Sequence, residues 1–298
     1  GSVLAAASFT GDVGAGFSLG LKDYNILGTG NEINSSFNLN TEQTRFDIKY
    51  SQYPLLNPNL RNDYLIFNQD QDFISSFGYK TTDIGFGYNL NFRYNEKTNF
   101  SSGFKISSIE GHSPINNTLA VSDNIGSFEQ LSLNLGIGYD STNDFLYPTN
   151  GVLNKISVEL SPSEISDYSF FKLRLSNDIY LKRKNSNNFF FISNDMGLAE
   201  SSDGNLKTIN AFSLGGLNFK GFDYRGIGPK QGNVYLGGNK FYTSTIGYGG
   251  NFIFDKKDNI NFRSFYTIGS IWDSDYSSSD NIFHRSSIGI SLDILTPV

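Results

Sequence analysis

Apolar and polar residues alternate with a period of two along almost the whole chain. Phe17, Leu19 and Leu21 alternate with Ser18, Gly20 and Lys22, and Phe46, Ile48 and Tyr50 with Arg45, Asp47 and Lys49. Ile84, Phe86, Tyr88, Leu90 and Phe92 oppose Gly85, Gly87, Asn89, Asn91 and Arg93. The same pattern recurs in Leu131 to Tyr139, Ile156 to Leu160, Phe171 to Leu175 and Ile288 to Leu292. Successive side chains of a strand point to opposite faces, so each apolar set shares one face. About fourteen such segments can be counted, many of them about 10 residues long. Strands of soluble sandwiches run to about 5–6 residues. Tilted strands that cross a bilayer need about 9–11. The alternation therefore predicts an all-β, transmembrane, antiparallel up-and-down β-barrel.

The connections support this. Short polar turns such as Asn95-Glu96-Lys97-Thr98 and Lys184-Asn185-Ser186-Asn187 are expected on one rim. Long ones, Gly111 to Ser127 and Gly204 to Gly238, are expected on the other. Outer-membrane barrels show this asymmetry. Aromatic residues near strand ends (Tyr24, Tyr53, Tyr94, Tyr147, Trp272) are candidates for interface girdles. No linker, charge block or change of period divides the chain, so residues 1–298 read as one barrel domain. Its longest connection, 204–238, is too glycine-rich for a helix and too long for a hairpin turn. Phe219, Phe222 and Tyr224 with Lys220, Arg225 and Lys230 suit a loop that packs inward.

Composition narrows the function. The 298 residues contain no cysteine, so disulfides and thiolate metal sites are excluded. The net charge of -6 disfavours nucleic-acid binding. No run approaches the length of an apolar spanning helix. His112 and His284 are far apart and in no metal-ligand spacing, and no cofactor motif is present. The aspartates of 140–144 and 273–280 fit no EF-hand and read as solvated turns. An enzyme is disfavoured, and neither metal nor cofactor is expected.

Four motifs carry a family resemblance. Gly138-Tyr139-Asp140-Ser141-Thr142-Asn143-Asp144 is followed by Pro148-Thr149-Asn150-Gly151. Lys220-Gly221-Phe222 is followed by Ile227-Gly228-Pro229-Lys230 and Leu236-Gly237-Gly238-Asn239. Gly269-Ser270-Ile271-Trp272-Asp273 ends a strand, and Asp23 to Gly30 forms an early hairpin. In this order they resemble the BamA family, the bacterial surface antigen family of outer-membrane assembly factors. The resemblance implies a sixteen-stranded barrel behind periplasmic POTRA domains, with 204–238 as a lumen loop. It implies location in the bacterial outer membrane and a role in folding and inserting other barrel proteins. Partners would be unfolded barrel clients, outer-membrane lipids and, through POTRA domains, assembly lipoproteins. Strand addition would occur at a lateral seam formed here by Ser2, Val3, Leu4, Ala5, Ala6, Ala7 and Ser8. Small, poorly alternating residues there suit a loosely specified register. A two-partner secretion pore or TamA-type translocation factor is the nearest rival. A diffusion porin is weaker, because the loop offers cations with little acid beyond Asp223.

Two departures from the family set expectations. Where the family loop carries Arg, this chain has Lys220, and the acidic wall positions expected to face it fall at about Gly247 and Thr267. Arg and Lys are not interchangeable at a bidentate site. The loop motif Lys220, Gly221, Phe222, Arg225, Gly228 and Pro229 is thus expected to face Gly247, Thr267, Trp272 and Asp273 without the usual ion pair. Lys220 should bond to main-chain or hydroxyl oxygens, or Phe219, Phe222 and Tyr224 should hold the loop, with Arg225 able to take over the charged contact. In addition, the family continues past the position of Thr296-Pro297-Val298 with two further strands. About 14 of 16 strands are expected, as a barrel fragment with open edges that would not insert stably alone.

Overall fold

The computed structural model describes residues 1–10, 14–184, 186–251, 260–277 and 282–294. Asn185, Ser278 to Asp280 and Thr296 to Val298, used in the sequence reading, lie outside these residues.

Fourteen strands form one sheet in chain order, every neighbouring pair antiparallel. They are β1 (Ser2–Thr10), β2 (Gly14–Asp23), β3 (Glu32–Leu39), β4 (Gln43–Gln52), β5 (Leu60–Asp72), β6 (Lys80–Arg93) and β7 (Thr98–His112), then β8 (Gly126–Asp140), β9 (Gly151–Ser161), β10 (Phe170–Lys182) and β11 (Phe189–Glu200). After a two-stranded hairpin, β12 (Lys230–Gln231) with β13 (Val234–Tyr235), the sheet resumes with β14 (Lys240–Asn251), β15 (Ile260–Trp272) and β16 (Arg285–Ile294). A single helical turn, α1 (Leu119–Ser122), lies in the connection after β7. Among the described residues β1 and β16 each have one neighbour in the sheet.

The sheet is turned inside out relative to a soluble domain. One residue set is apolar and exposed: Ile66, Ile84, Leu135, Ile137, Phe190, Ile246, Ile288 (85 %) and Ile290 (78 %) all belong to it. The opposite set is polar and mutually bonded. Arg45 pairs with Asp47 at 3.0 Å, Arg61 with Asp63 at 2.9 Å and Lys105 with Asp83 at 3.4 Å. Apolar out and polar in is the signature of a barrel whose solvent is lipid. One exception crosses the outer face. Asn177 Nδ2 donates to Asn154 Oδ1 at 2.5 Å, Asn194 Nδ2 to Asn177 Oδ1 at 3.4 Å, and Ser244 Oγ to Asn194 Oδ1 at 2.8 Å. Cross-strand register puts these four residues in one row, beside exposed Ile192, Met196 and Ile246. Polar groups against hydrocarbon are tolerated because they satisfy one another.

The connections segregate as expected. Residues 113–125, 201–239 and 273–277 follow odd-numbered strands of the first eleven or β15, and share a rim with 73–79 and 162–169. The opposite rim carries 53–59, 94–97, 141–150 and 186–188. The long-loop rim is roofed. Phe73, Phe77 and Tyr79 pack with Val121 and Val234, and Ala120 packs with Leu236 and Tyr276.

Candidate functional site

The connection 201–239 lies against the inner face and is buried where it does so. Phe212, Leu214, Phe219 and Ile227 from the loop share one cluster with Phe241 and Ile271 from the wall, and Phe222 packs against that cluster. Phe219 is 1 % exposed. Glycines of the wall and of the loop make this approach possible. A Cβ on Gly269 would stand 3.0 Å from the Phe219 ring, and one on Gly238 2.6 Å from Ile271. Gly228, at φ +129, faces Ile271, and Gly221, at φ +95, faces Ser287 of β16. Both angles are in the left-handed region that glycine adopts without steric cost. Pro229 closes the segment: its carbonyl accepts from Leu236 N at 3.0 Å.

The cations of the loop sit on aromatic rings. Lys220 Nζ lies 5.2 Å from the centre of the Phe265 ring. Lys207 lies 4.9 Å from Tyr168 and 5.1 Å from Phe128, and its Nζ donates to the Asp123 carbonyl. Burial pushes the Lys207 ammonium down, with Asp123 opposing. Lys172, from β10, lies 4.5 Å over Phe212 and donates to Asn210 O at 3.0 Å. Arg225 is enclosed by rings: its guanidinium is 3.9 Å from the Phe73 ring, 4.8 Å from Phe77 and 5.0 Å from Tyr224. Its Nε has no hydrogen-bond partner and its φ is +56°. Burial pushes the Arg225 guanidinium below its ordinary range. Nearby, burial and then Asp72 push the Glu42 carboxyl up, against the pull of Arg225. Among the described residues none of these four cations is within ion-pair distance of a carboxylate.

The wall explains why an acid is dispensable. Gly247 stands across from Phe191 and Phe265. A Cβ there would be 2.3 Å from the Phe191 ring, so glycine is the seat of that ring. Gly249 seats Phe189 and Gly289 seats Phe265, with would-be contacts of 2.6 and 2.5 Å. Phe189 and Phe191 form an aromatic lumen patch with Tyr180, packed against Tyr147 and Phe265. Covering bare glycine backbone with a cross-strand aromatic is a known sheet-stabilising device. Lys220 rests on the Phe265 edge of the patch. Thr267 is buried on the same inner face, and its hydroxyl is spent on Thr245 at 2.8 Å.

Two sequence expectations need correction. Trp272 has the opposite parity to Thr267 and does not face the loop: its ring meets Tyr242 edge-on at 6.1 Å and borders an outer cleft with Leu173, Leu175 and Met196. Tyr147 is no outward girdle residue, since its ring packs inward on Phe189 at 5.7 Å. Asp273 serves the base of the loop, pairing with Lys240 at 2.6 Å while its carbonyl accepts from Asn239 N at 3.0 Å. Beside it, Asp275 joins both ends of the loop, accepting from Leu206 N at 2.6 Å and from Asn239 Nδ2 at 2.9 Å. Asp275 has no signal in the sequence beyond its place after Trp272-Asp273. The seam residues belong to β1. Ser2 to Ser8 pair with β2 without a break, Ser2 opposite Lys22 and Ser8 opposite Gly16, with Val3, Ala5 and Ala7 outward.

An antiparallel barrel with an apolar exterior, long loops on one rim and a glycine-seated inner loop defines a β-barrel protein of the bacterial outer membrane. The match to the Omp85 superfamily domain spans residues 25–298. This chain belongs to the Omp85 superfamily, a family of outer-membrane protein insertion and translocation. Its fold is that of the BamA barrel. The crystal structure of BamA from Haemophilus ducreyi lacking POTRA domains 1-3 matches 100 % of this chain with a TM-score of 0.86 at 19 % identity. CdiB from Acinetobacter baumannii matches 97 % with a TM-score of 0.58 at 13 % identity, and CdiB from Escherichia coli 98 % with 0.59 at 14 %. The chain spans 64 % of the BamA chain and 52 % and 55 % of the two CdiB chains.

Proposed function

We propose that this barrel belongs to an assembly factor that folds and inserts β-barrel proteins into the outer membrane. The observation that carries the reading is the whole-chain agreement with the BamA barrel, at a TM-score of 0.86 against 0.58 and 0.59 for CdiB. The proposed action is strand exchange rather than bond chemistry. A client strand adds to the main-chain groups of β1, whose other edge is already satisfied by β2. Ala5 and Ala7 on the outer face offer little side-chain specificity, which suits an edge that must accept many sequences. The anchored loop stiffens the β14–β16 wall. The partners in this reading are unfolded barrel clients, outer-membrane lipids and assembly lipoproteins reached through POTRA domains.

Depleting the full-length protein in cells and following other barrel proteins tests this. Loss of their folded forms is expected; their unchanged abundance would refute it. The likeness to CdiB supports a second reading, a translocation pore of the secretion or TamA type. Depletion would then spare other barrels, and open channels would appear in single-channel recordings.

A further inference from the structure

The polar row on the outer face pairs internally, but not fully. Ser244 Oγ, Asn194 Nδ2 and Asn177 Nδ2 each spend one hydrogen, in bonds of 2.8, 3.4 and 2.5 Å, the last of which ends on Asn154 Oδ1. A primary amide carries two N–H donors. One N–H of Asn194, one of Asn177 and both of Asn154 therefore have no acceptor among the described residues. The side-chain oxygens of the three amides are each already bonded. The row is thus short of acceptors, not of donors. Away from water an orphaned N–H is rarer in proteins than a half-used carbonyl oxygen, and it carries a desolvation cost.

The row also has a direction and a depth. Every bond in it runs toward Asn154, and hydrogen bonds in series polarise one another, which strengthens the donor at the end. Asn154 Oδ1 is turned across to β10, so the planar amide aims Nδ2 the other way, toward β8. The cross-strand neighbour on that side is Tyr139, whose hydroxyl has no hydrogen bond among the described residues. Both stand at the short-turn end. Asn154 comes shortly after Gly151, the first residue of β9, and Tyr139 just before Asp140, the last of β8. The stretch of tilted strand from Gly151 to Asn154 rises about 8 Å. The headgroup layer on each side of the hydrocarbon is about 5–7 Å deep. This end of the row is therefore level with the glycerol esters of the adjoining leaflet, and Asn177, Asn194 and Ser244 extend from it into hydrocarbon.

We propose that Asn154 and Tyr139 form a binding site for a phospholipid of the short-turn leaflet and donate hydrogen bonds to its fatty-acyl ester carbonyls, with Asn177, Asn194 and Ser244 fixing the Asn154 amide. An ester carbonyl accepts and cannot donate, which is what the unspent groups require. A helix or barrel that spans the bilayer has its main chain paired internally and offers no such carbonyl. A second copy of the row brings the same surplus of N–H groups. The site requires only the barrel's place in the membrane and is independent of the assembly role.

The test uses the full-length protein in bilayers of dioleoyl phosphatidylcholine or of its diether counterpart, which keeps the headgroup and chains but has no carbonyl. Lipid retained after detergent extraction is counted by native mass spectrometry. The wild type should retain the diester about ten-fold more strongly than the diether. Asn154→Leu should bring the diester down to the diether level and leave the diether unchanged. Asn62 is an outward amide of β5 that accepts from the Tyr88 hydroxyl at 2.9 Å and has no second amide behind it, so Asn62→Leu should keep the diester preference. Equal retention of the two lipids by the wild type would overturn the ester assignment without any variant. Loss of both lipids in Asn154→Leu would overturn it in favour of the phosphate. Equal sensitivity to Asn62→Leu and Asn154→Leu would overturn the role of the row, and paired protein copies without lipid preference would assign the row to a second copy instead.

Discussion

Arg225 is expected to be the pin between the inner loop and the roof, acting through stacking rather than through charge pairing. Its guanidinium lies 3.9, 4.8 and 5.0 Å from three ring centres, while its Nε has no acceptor. Cation–aromatic contacts in a desolvated setting contribute about 2 kcal/mol. Arg225→Ala should therefore raise local opening of the loop about thirty-fold. The φ of +56° adds a second expectation. A non-glycine residue in that region is strained by about 1 kcal/mol, which glycine releases. Arg225→Gly should thus open less than Arg225→Ala, by about five-fold. Arg225→Lys keeps the charge but not the plane, and should fall between wild type and alanine. Hydrogen exchange at Ile227 N and Gly216 N, bonded to Leu214 O at 3.1 Å and Phe222 O at 2.9 Å, reads the opening directly. High salt should leave the wild-type rates unchanged, because stacking on buried rings is little screened. Alanine exchange rates equal to wild type, or salt acceleration matching the alanine effect, would refute the stacking account.

Four further outcomes are expected. Gly247→Asp, which restores an acid where the family has one, should lower the heat-modification midpoint instead of creating an ion pair, because the Phe191 ring occupies that space. Asn177→Leu alone should destabilise the barrel by about 1–3 kcal/mol in urea unfolding, since Asn154 and Asn194 lose a shared partner; replacing all four members of the outer polar row by apolar residues should return most of that. Asp275→Ala should release both ends of the inner loop, seen as new trypsin cleavage at Lys207 in intact vesicles, and Asp275→Asn should cleave more slowly. For Glu42, the folded-state carboxyl is raised above its ordinary 4.5, so the folded protein binds more protons than the unfolded one just above that pH. Stability then falls as pH rises from about 4.5 through the folded value, and Glu42→Gln should flatten that slope and raise the neutral-pH midpoint.

The strands were legible in the residues because lipid outside and polar lumen inside impose strict alternation, and alternation survives in any one strand on its own. Phe17, Leu19 and Leu21, or Ile288, Ile290 and Leu292, need no partner to be read. The long connection was legible as inward-packing from its glycines and aromatics, and the absent ion pair from the lack of acid at Gly247 and Thr267. What holds the loop was not legible. Phe265 beneath Lys220, Phe73 and Phe77 around Arg225, and Asp275 bridging Leu206 and Asn239 lie far apart in the chain, and only strand register and loop crossing bring them together. Trp272 and Tyr147 show the same limit, since a residue's parity is fixed within a strand but its use at a strand end is set by what the neighbouring loops leave open. The sequence by itself determined a membrane barrel with an inner loop that lacks the expected ionic partner. The tertiary structure decided that aromatic rings, seated on cross-strand glycines, take the place of the acid.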